Sequence, residues 1–381
     1  MIVHLILTSE AGLRRRYGDD GWQEIDEAIS RLGQMRRKRG LVSLLLDPAH
    51  GWPAVGIAGV PLEPAQIAEF LAQVDACLHQ QQDRIASLLI LGDAAILPFA
   101  EIADPVPDND RVVPTDWLYG QADSDSWLAH WPVGRLPDRL EARPATLCTL
   151  LANAAAAHQA GAGPPVRGLG VSAESWYHVT RQVLASSAAR FDLIVVPPEP
   201  RAADWPARLA TAGLIYCNLH GLKADPDWYG HAAGGELMRA LQPADLRTAV
   251  LPASIVFSQA CYGAALPPAA VADVLALAFL RAGALAFLAS TALSYGSFEL
   301  PISDSDLLAQ QFLLALDGTL SIGESFQQAR RATVRMALLA QGFLDDDDRK
   351  VLQSFVLYGD PTLPAPALLR SSATMEHETM R

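Results

Sequence analysis

The chain has 381 residues, half of them hydrophobic, with 42 acidic side chains against 29 Lys and Arg and a formal charge of −13. That length accommodates one large or two ordinary domains, and so acidic a balance argues against a binder of duplex nucleic acid, which must neutralise phosphates. Cys77, Cys148, Cys217 and Cys261 are scattered without a C-x-x-C pair, the pattern of free thiols in a reducing compartment.

Short β-branched or leucine runs alternate with segments of helical period, the signature of an α/β protein whose mostly parallel sheet is covered on both faces. Residues 1–7 lack the basic region and the length of a signal peptide and read as the first strand of a cytoplasmic protein. Strands at 41–46 and 85–91 follow, separated by one helix stripe of Trp22, Ile25, Ile29 and Leu32 and another of Ile67, Phe70, Leu71, Val74 and Leu78. Residues 98–137 are rich in Asp and Pro and predict a long irregular excursion with one short strand near 131–133. A helix around 145–158 leads to Gly161-Ala162-Gly163-Pro164-Pro165, the strongest internal punctuation. Further strands are expected at 169–171, 193–196, 214–218, 255–258 and 285–288, with helices between them, one carrying Trp176, Val179, Val183 and Leu184. The apolar stretch 274–293 is divided by Arg281 and Gly283 and reads as a buried helix, a turn and a strand, so no membrane span is expected. Ser321-Ile322-Gly323-Glu324 has capping-box spacing, and residues 371–381 read as a loose polar tail.

Two of the strands share a design: Leu214-Ile215-Tyr216-Cys217-Asn218-Leu219-His220-Gly221 and Ile255-Val256-Phe257-Ser258-Gln259-Ala260-Cys261-Tyr262-Gly263 are apolar runs that stop at a reactive side chain. In a parallel sheet, functional loops gather at the carboxyl ends of the strands, so this imidazole and this thiol are expected at one edge as the ingredients of a cysteine nucleophile. Gly221 and Gly263 let the chain turn sharply after each strand, which would aim the amides of Gly221 and Cys261 at one oxyanion. Taken singly, Cys261 reads as a buried thiol and His220 as a loop histidine. Their pairing favours chemistry.

The two strand ends resemble the His-Gly and Ala-Cys blocks of caspase-like cysteine peptidases, with the gingipain and CHAT branches, which also include separase, the nearest in pattern. Leu91-Gly92-Asp93 with Pro98, Pro114-Thr115-Asp116-Trp117-Leu118-Tyr119 and Val133-Gly134-Arg135-Leu136-Pro137 are similar to gingipain blocks. Leu357-Tyr358-Gly359-Asp360-Pro361-Thr362-Leu363 is similar to the closing block of both branches, so the resemblance spans residues 85–363. It implies a caspase-like three-layer α/β/α fold: a smaller non-catalytic α/β subdomain over 1–150, the catalytic subdomain over 151–366, and a flexible polar tail over 367–381. The implied activity is that of a cysteine endopeptidase, without metal or cofactor, in which Cys261 attacks the scissile carbonyl and His220 protonates the leaving amine. No third residue is required.

Gingipains of arginine specificity carry an acid at a place comparable to Glu174, which makes Glu174 the candidate for recognising Arg or Lys before the cleaved bond. A helix-start glutamate favoured by the macrodipole is the alternative reading. Tyr295 is a candidate wall of the same pocket, and Asp225, Asp227, Asp304 and Asp306 are rival acids otherwise read as solvated. Asp116 is expected to brace the two subdomains, and Asp360 to form a turn. The implied partners are a protein substrate and an activating protein or ligand, with a regulated role in a bacterial defence or cell-death pathway by analogy. The oligomeric state stays open.

Other readings are weaker. Cys217 and His220 form a C-x-x-H pair without a second ligand pair, which leaves a zinc site unsupported. Gly168-Leu169-Gly170-Val171-Ser172-Ala173 imitates a dinucleotide fingerprint without a strand before it, and Ser290 and Ser294 lack the G-x-S-x-G elbow. Arg14-Arg15-Arg16 and Arg36-Arg37-Lys38-Arg39 read as solvated faces and as self-cleavage sites if the enzyme cuts after basic residues. Two further classes remain in view: a catalytically silent caspase-like interaction module, and an acyltransferase or ligase using the same thioester chemistry.

Overall fold

The computed structural model describes residues 1–121, 128–139, 141–161, 167–187, 189–198, 200–232, 234–266 and 273–365. The predicted tail at 367–381 and most of the punctuation at 161–165 lie outside them. The first half comprises β1 (Ile2–Leu7), α1 (Glu10–Lys38), β2 (Val42–Leu46), α2 (Pro64–Gln80), β3 (Arg84–Leu91), β4 (Ala100–Ala103), β5 (Val112–Thr115), β6 (Val133–Leu136) and α3 (Ala145–Ala160). The rest comprises β7 (Arg167–Ala173), α4 (Tyr177–Ala185), β8 (Phe191–Val196), α5 (Trp205–Leu209), β9 (Ala212–Asn218), β10 (His220–Gly221), β11 (Trp228–Gly230), β12 (Met238–Leu241), β13 (Ile255–Ser258), α6 (Leu275–Arg281), β14 (Ala286–Ser290), α7 (Asp304–Ala315), α8 (Ile322–Gln341), α9 (Asp346–Ser354) and β15 (Phe355–Gly359).

Ten strands form one sheet in the order β2-β1-β3-β6-β15-β14-β13-β9-β7-β8. The alternation of a strand sends Val3, Leu5 and Leu7 to the core under α2, where Ile67, Phe70, Leu71 and Val74 are fully buried, and sends Ile6 to the core under α1. Each such side chain contributes about 1.5–3 kcal/mol by leaving water. Helices therefore cover both faces: α1, α3 and α6 pack in series, and α7 packs against α4, α8 and α9. The α8 capping box expected from the sequence is present, with Ser321 and Glu324 bonding each other's backbone.

The sheet changes direction once. β15 is parallel to β6 but antiparallel to β14, so the two half-sheets present their carboxyl ends at opposite edges. Between β3 and β6 the excursion crosses from one edge to the other. It folds as a β4–β5 hairpin and a single turn at Trp117–Gly120, and Thr291 and Gln353 hold it at the far edge through Pro114 O and Thr115 Oγ1. The predicted strand near 131–133 begins at Val133 instead, because Trp131 is buried in the core and donates its indole N–H to Tyr119 O at 3.1 Å.

Buried ion pairs fasten this frame. Arg135 makes a bidentate pair with Asp116 at 2.6 and 2.8 Å and donates to Gly92 O and Leu97 O, so these bonds fasten Asp116 within residues 1–150 and not across the two expected subdomains. The basic runs are not merely solvated, however. Arg36 is fully buried on Asp360 at 2.6 Å, and Arg16 joins Asp93 and Asp138, each at 2.8 Å. Burial opposes the charge on Asp360, but Arg36 and His158 hold its carboxyl far below the usual range.

Candidate active site

β9 and β13 are parallel neighbours with Cys217 opposite Ser258. His220 lies three residues beyond Cys217 and Cys261 three beyond Ser258, so both residues follow the same carboxyl edge at equal offsets from the paired positions. The amide of Gln259 donates to Cys217 O at 2.8 Å and carries the ladder one step past the strands. Gly221 is required here: a Cβ on it would sit 2.0 Å from the carbonyl oxygen of Cys261. At Cys261 the expectation shifts by one residue. The left-handed backbone belongs to Tyr262, with φ of 56°, and not to Gly263. A non-glycine residue in that region costs on the order of 1–3 kcal/mol, and Tyr262 is held there by its amide on Ala292 O and its phenol on Asp110 at 2.9 Å.

The small antiparallel sheet β10-β11-β12 places His231, one residue past Gly230, beside His220. The two rings meet at 2.8 Å, Nε2 of His220 to Nδ1 of His231. Trp176 covers them, its ring centroid 4.4 Å from that of His220. The sequence assigned Trp176 to the apolar stripe of a helix. The structure puts it in a single turn at Glu174–Trp176 before α4, and Ser175 fastens that turn to His231 O through its amide and hydroxyl. Burial, followed by the neighbouring His231, lowers the His220 pKa to about 4. Cys261 Sγ donates to Ser294 O at 3.4 Å and accepts from Ser294 N at 3.3 Å, and burial raises its pKa more than those contacts lower it. Thiol and imidazole are therefore both neutral at pH 7 before substrate arrives.

Behind Cys261, Gln259 donates to Asp306 at 2.6 Å, and the other oxygen of Asp306 accepts from Ser297 N at 2.7 Å. Read from the sequence as solvated, Asp306 is 1% exposed, and burial lifts its pKa to about 6. Its work is to fix the loop at 294–297 that holds the thiol. In front, Asp110 comes from the crossing excursion and accepts from Lys223, Tyr262 and the amide of Leu293 at 2.8–3.1 Å. One carboxylate thus ties the loops that follow His220, Cys261 and β14. Asp104, Asp108 and Asp110 converge as a metal site would, but the ammonium of Lys350 lies among them, 2.5 Å from Asp104.

Glu174 is exposed, and its carboxylate makes no hydrogen bond or ion pair among the described residues; its backbone carbonyl accepts from the Tyr177 amide. Tyr295 donates to Asp108 at 2.5 Å and has its ring beside Lys350; the aromatic that meets Trp176 is Phe298, at 6.0 Å. Asp225 accepts from Tyr229, and Asp227 lies near Arg239. The sequence reading missed His231, Asp110 and Lys350. A histidine one residue past a strand-ending glycine was the available signal for the first, whereas the other two lie far from the dyad in sequence.

Residues 228–366 match the model of peptidase family C25, a segment that contains Cys261 and begins after His220. The complex of Porphyromonas gingivalis RgpB pro- and mature domains is similar to this chain at 14% identity and a TM-score of 0.67, covering 96% of this chain and 80% of that one. The crystal structure of the Arg-specific cysteine proteinase gingipain R is similar at 13% identity and a TM-score of 0.67, covering 96% and 78%. At these identities the likeness is one of fold. No curated protein matches the sequence.

Proposed function

We propose that the chain, a caspase-like cysteine peptidase by its family match and fold, cuts a protein substrate with Cys261 as nucleophile and His220 as its proton partner. The observation that carries this reading is their equal offset beyond the paired residues Cys217 and Ser258. His220 accepts the thiol proton as Cys261 attacks the scissile carbonyl, then delivers it to the leaving amine, and water releases the acyl group. The amides of Gly221 and Cys261 are assigned to the oxyanion. Because both groups start neutral, proton transfer accompanies substrate binding and does not precede it. His231 and Trp176 hold the ring of His220.

Glu174 is the acid we assign to Arg or Lys before the cleaved bond, supported by its free carboxylate two residues from Trp176. Tyr295 would add only its ring, since Asp108 engages its hydroxyl. We retain a functional division near residue 150, with 151–366 catalytic. A similar structure is a gingipain with its pro-domain, which supports control of this chain by a protein partner or ligand. A bacterial defence or cell-death setting rests on analogy, and a cytoplasmic one on the unpaired thiols. No helix among the described residues is long and apolar enough to cross a membrane. A silent interaction module is disfavoured because both reactive groups are retained at one edge.

An irreversible Arg- or Lys-directed warhead tests the assignment. Native chain should be labelled, Cys261→Ala unlabelled, and His220→Ala labelled slowly; labelling that persists in Cys261→Ala overturns the nucleophile. Glu174→Gln should weaken cleavage after basic residues by about 1.5–3 kcal/mol, as for a lost charged hydrogen bond. An unchanged preference transfers the role to another acid.

A further inference from the structure

A cavity of about 350 Å³ opens beside the dyad, within the range of about 300–1,000 Å³ usual for ligand pockets. Its apolar walls include Leu222, Pro226, Trp228, Leu266, Val274 and Leu275. Two of its wall segments are continuous with the reactive residues: Leu222 follows His220-Gly221, and Tyr262-Gly263 follows Cys261. Leu222 is 41% exposed, an apolar side chain facing solvent at the point where a substrate would lie.

The sheet order decides which part of a substrate reaches this cavity. Along the edge the strand ends run β14, β13, β9, β7, carrying in turn the cavity residues Thr291 and Ala292, then Cys261, His220 and Glu174. On this order Cys261 and His220 lie between the cavity's Thr291–Ala292 wall and Glu174, and another wall, at 222–228, follows His220 itself. A peptide whose scissile bond rests on the dyad, with the residue before that bond directed to Glu174, carries the residue after it toward the cavity. The charges near the mouth are already used: Asp110 is satisfied by Lys223, Tyr262 and Leu293, and Asp225 by Tyr229. A charged side chain entering there would lose water and at most compete with Asp110 for Lys223, whose side chain is 67% exposed, whereas an apolar one gains by leaving water.

We infer that the cavity receives an apolar side chain, of leucine or phenylalanine size, from the residue that follows the cleaved bond. This rests on the Cys261 and His220 reading and adds a second specificity site on the other side of the dyad from Glu174. Digestion of a mixed peptide library, with the sequence on both sides of every cut determined, tests it on the native chain, Cys261→Ala, Ala265→Trp and Leu222→Asp. Ala265→Trp fills the cavity, and Leu222→Asp places a charge at its exposed mouth without repacking the interior. Native chain should enrich Leu, Ile and Phe after the cut by ~10-fold or more over Gly and Asp, the discrimination expected of an apolar pocket. Both variants should lose that enrichment while keeping the native preference before the cut, which also reports that they are folded. Cys261-dependent cutting with no preference after the bond overturns the inference alone, as does enrichment that survives both variants. Absence of any Cys261-dependent cutting overturns the dyad reading and this inference with it.

Discussion

At the carboxyl edge of β3 and β6 the polar residues are Asp93 and Asp138, and Arg16 reaches both at 2.8 Å. At the carboxyl edge of β7, β9 and β13 they are Glu174, His220 and Cys261, and none of the three joins an ion pair among the described residues. The half-sheets share strand direction within each half and helical cover, so architecture alone does not separate them. What differs is whether the chain supplies its own counter-charge. The first edge is closed by a guanidinium from α1; at the second the imidazole meets only another imidazole and the thiol only the backbone of Ser294, so neither faces a counter-charge, which is what a reactive edge requires.

The sharpest way to break this comparison is to remove a counter-charge from the frame. Arg36→Met strands the buried Asp360 and should cost about 3–5 kcal/mol in urea unfolding, whereas Cys261→Ala should change stability by only about 1 kcal/mol. Equal costs would mean that the thiol is part of the frame. Asp306 comes next. Its folded pKa of about 6 lies above the carboxylate's ordinary 3.8, so the native state holds more protons than the unfolded one between those values. Stability should therefore fall as pH rises from about 4 to about 6, by about 3 kcal/mol at most, and Asp306→Asn should flatten that slope.

Thiol reactivity refines the contrast further. Iodoacetamide modification of Cys261 should keep accelerating above pH 9 in the free protein, because burial raises its pKa. A plateau near neutral pH would reveal a thiolate–imidazolium pair formed in advance. The smallest expected effect is that of His231→Asn, which removes only the secondary cause of the low His220 pKa. An NMR titration should find a rise of less than about one unit, ~1.4 kcal/mol; a return to 6.5 would put the His–His contact ahead of burial.

Most of the frame was legible because it is written in local pattern. The apolar run of β13 ends where the strand ends, and Ser321 and Glu324 mark the first turn of α8. β15 was not foreseen as a strand, since it leaves α9 at Ser354 without a turn residue and its reversed pairing with β14 is nonlocal. Arg16 and Arg36 looked like solvated cations because their partners lie 77 to 324 residues away. At the site, His220, Gly221 and Cys261 declared themselves through abrupt strand ends. Trp176 was misassigned because an aromatic at helical spacing ordinarily faces a core, and Asp110 gave no signal because its three donors come from three distant loops.

The crossing excursion also sets a schedule for synthesis. Asp108 and Asp110 leave the ribosome early, yet their partners are Tyr262, Leu293 and Lys350, and the Arg36 clasp waits for Asp360. The edge that carries His220 and Cys261 therefore closes only when nearly the whole described chain is available, and a nascent chain that has just completed Cys261 still lacks the braces around its thiol. On the proposed Cys261 and His220 reading, that ordering would keep the reactive edge incomplete until translation is nearly finished.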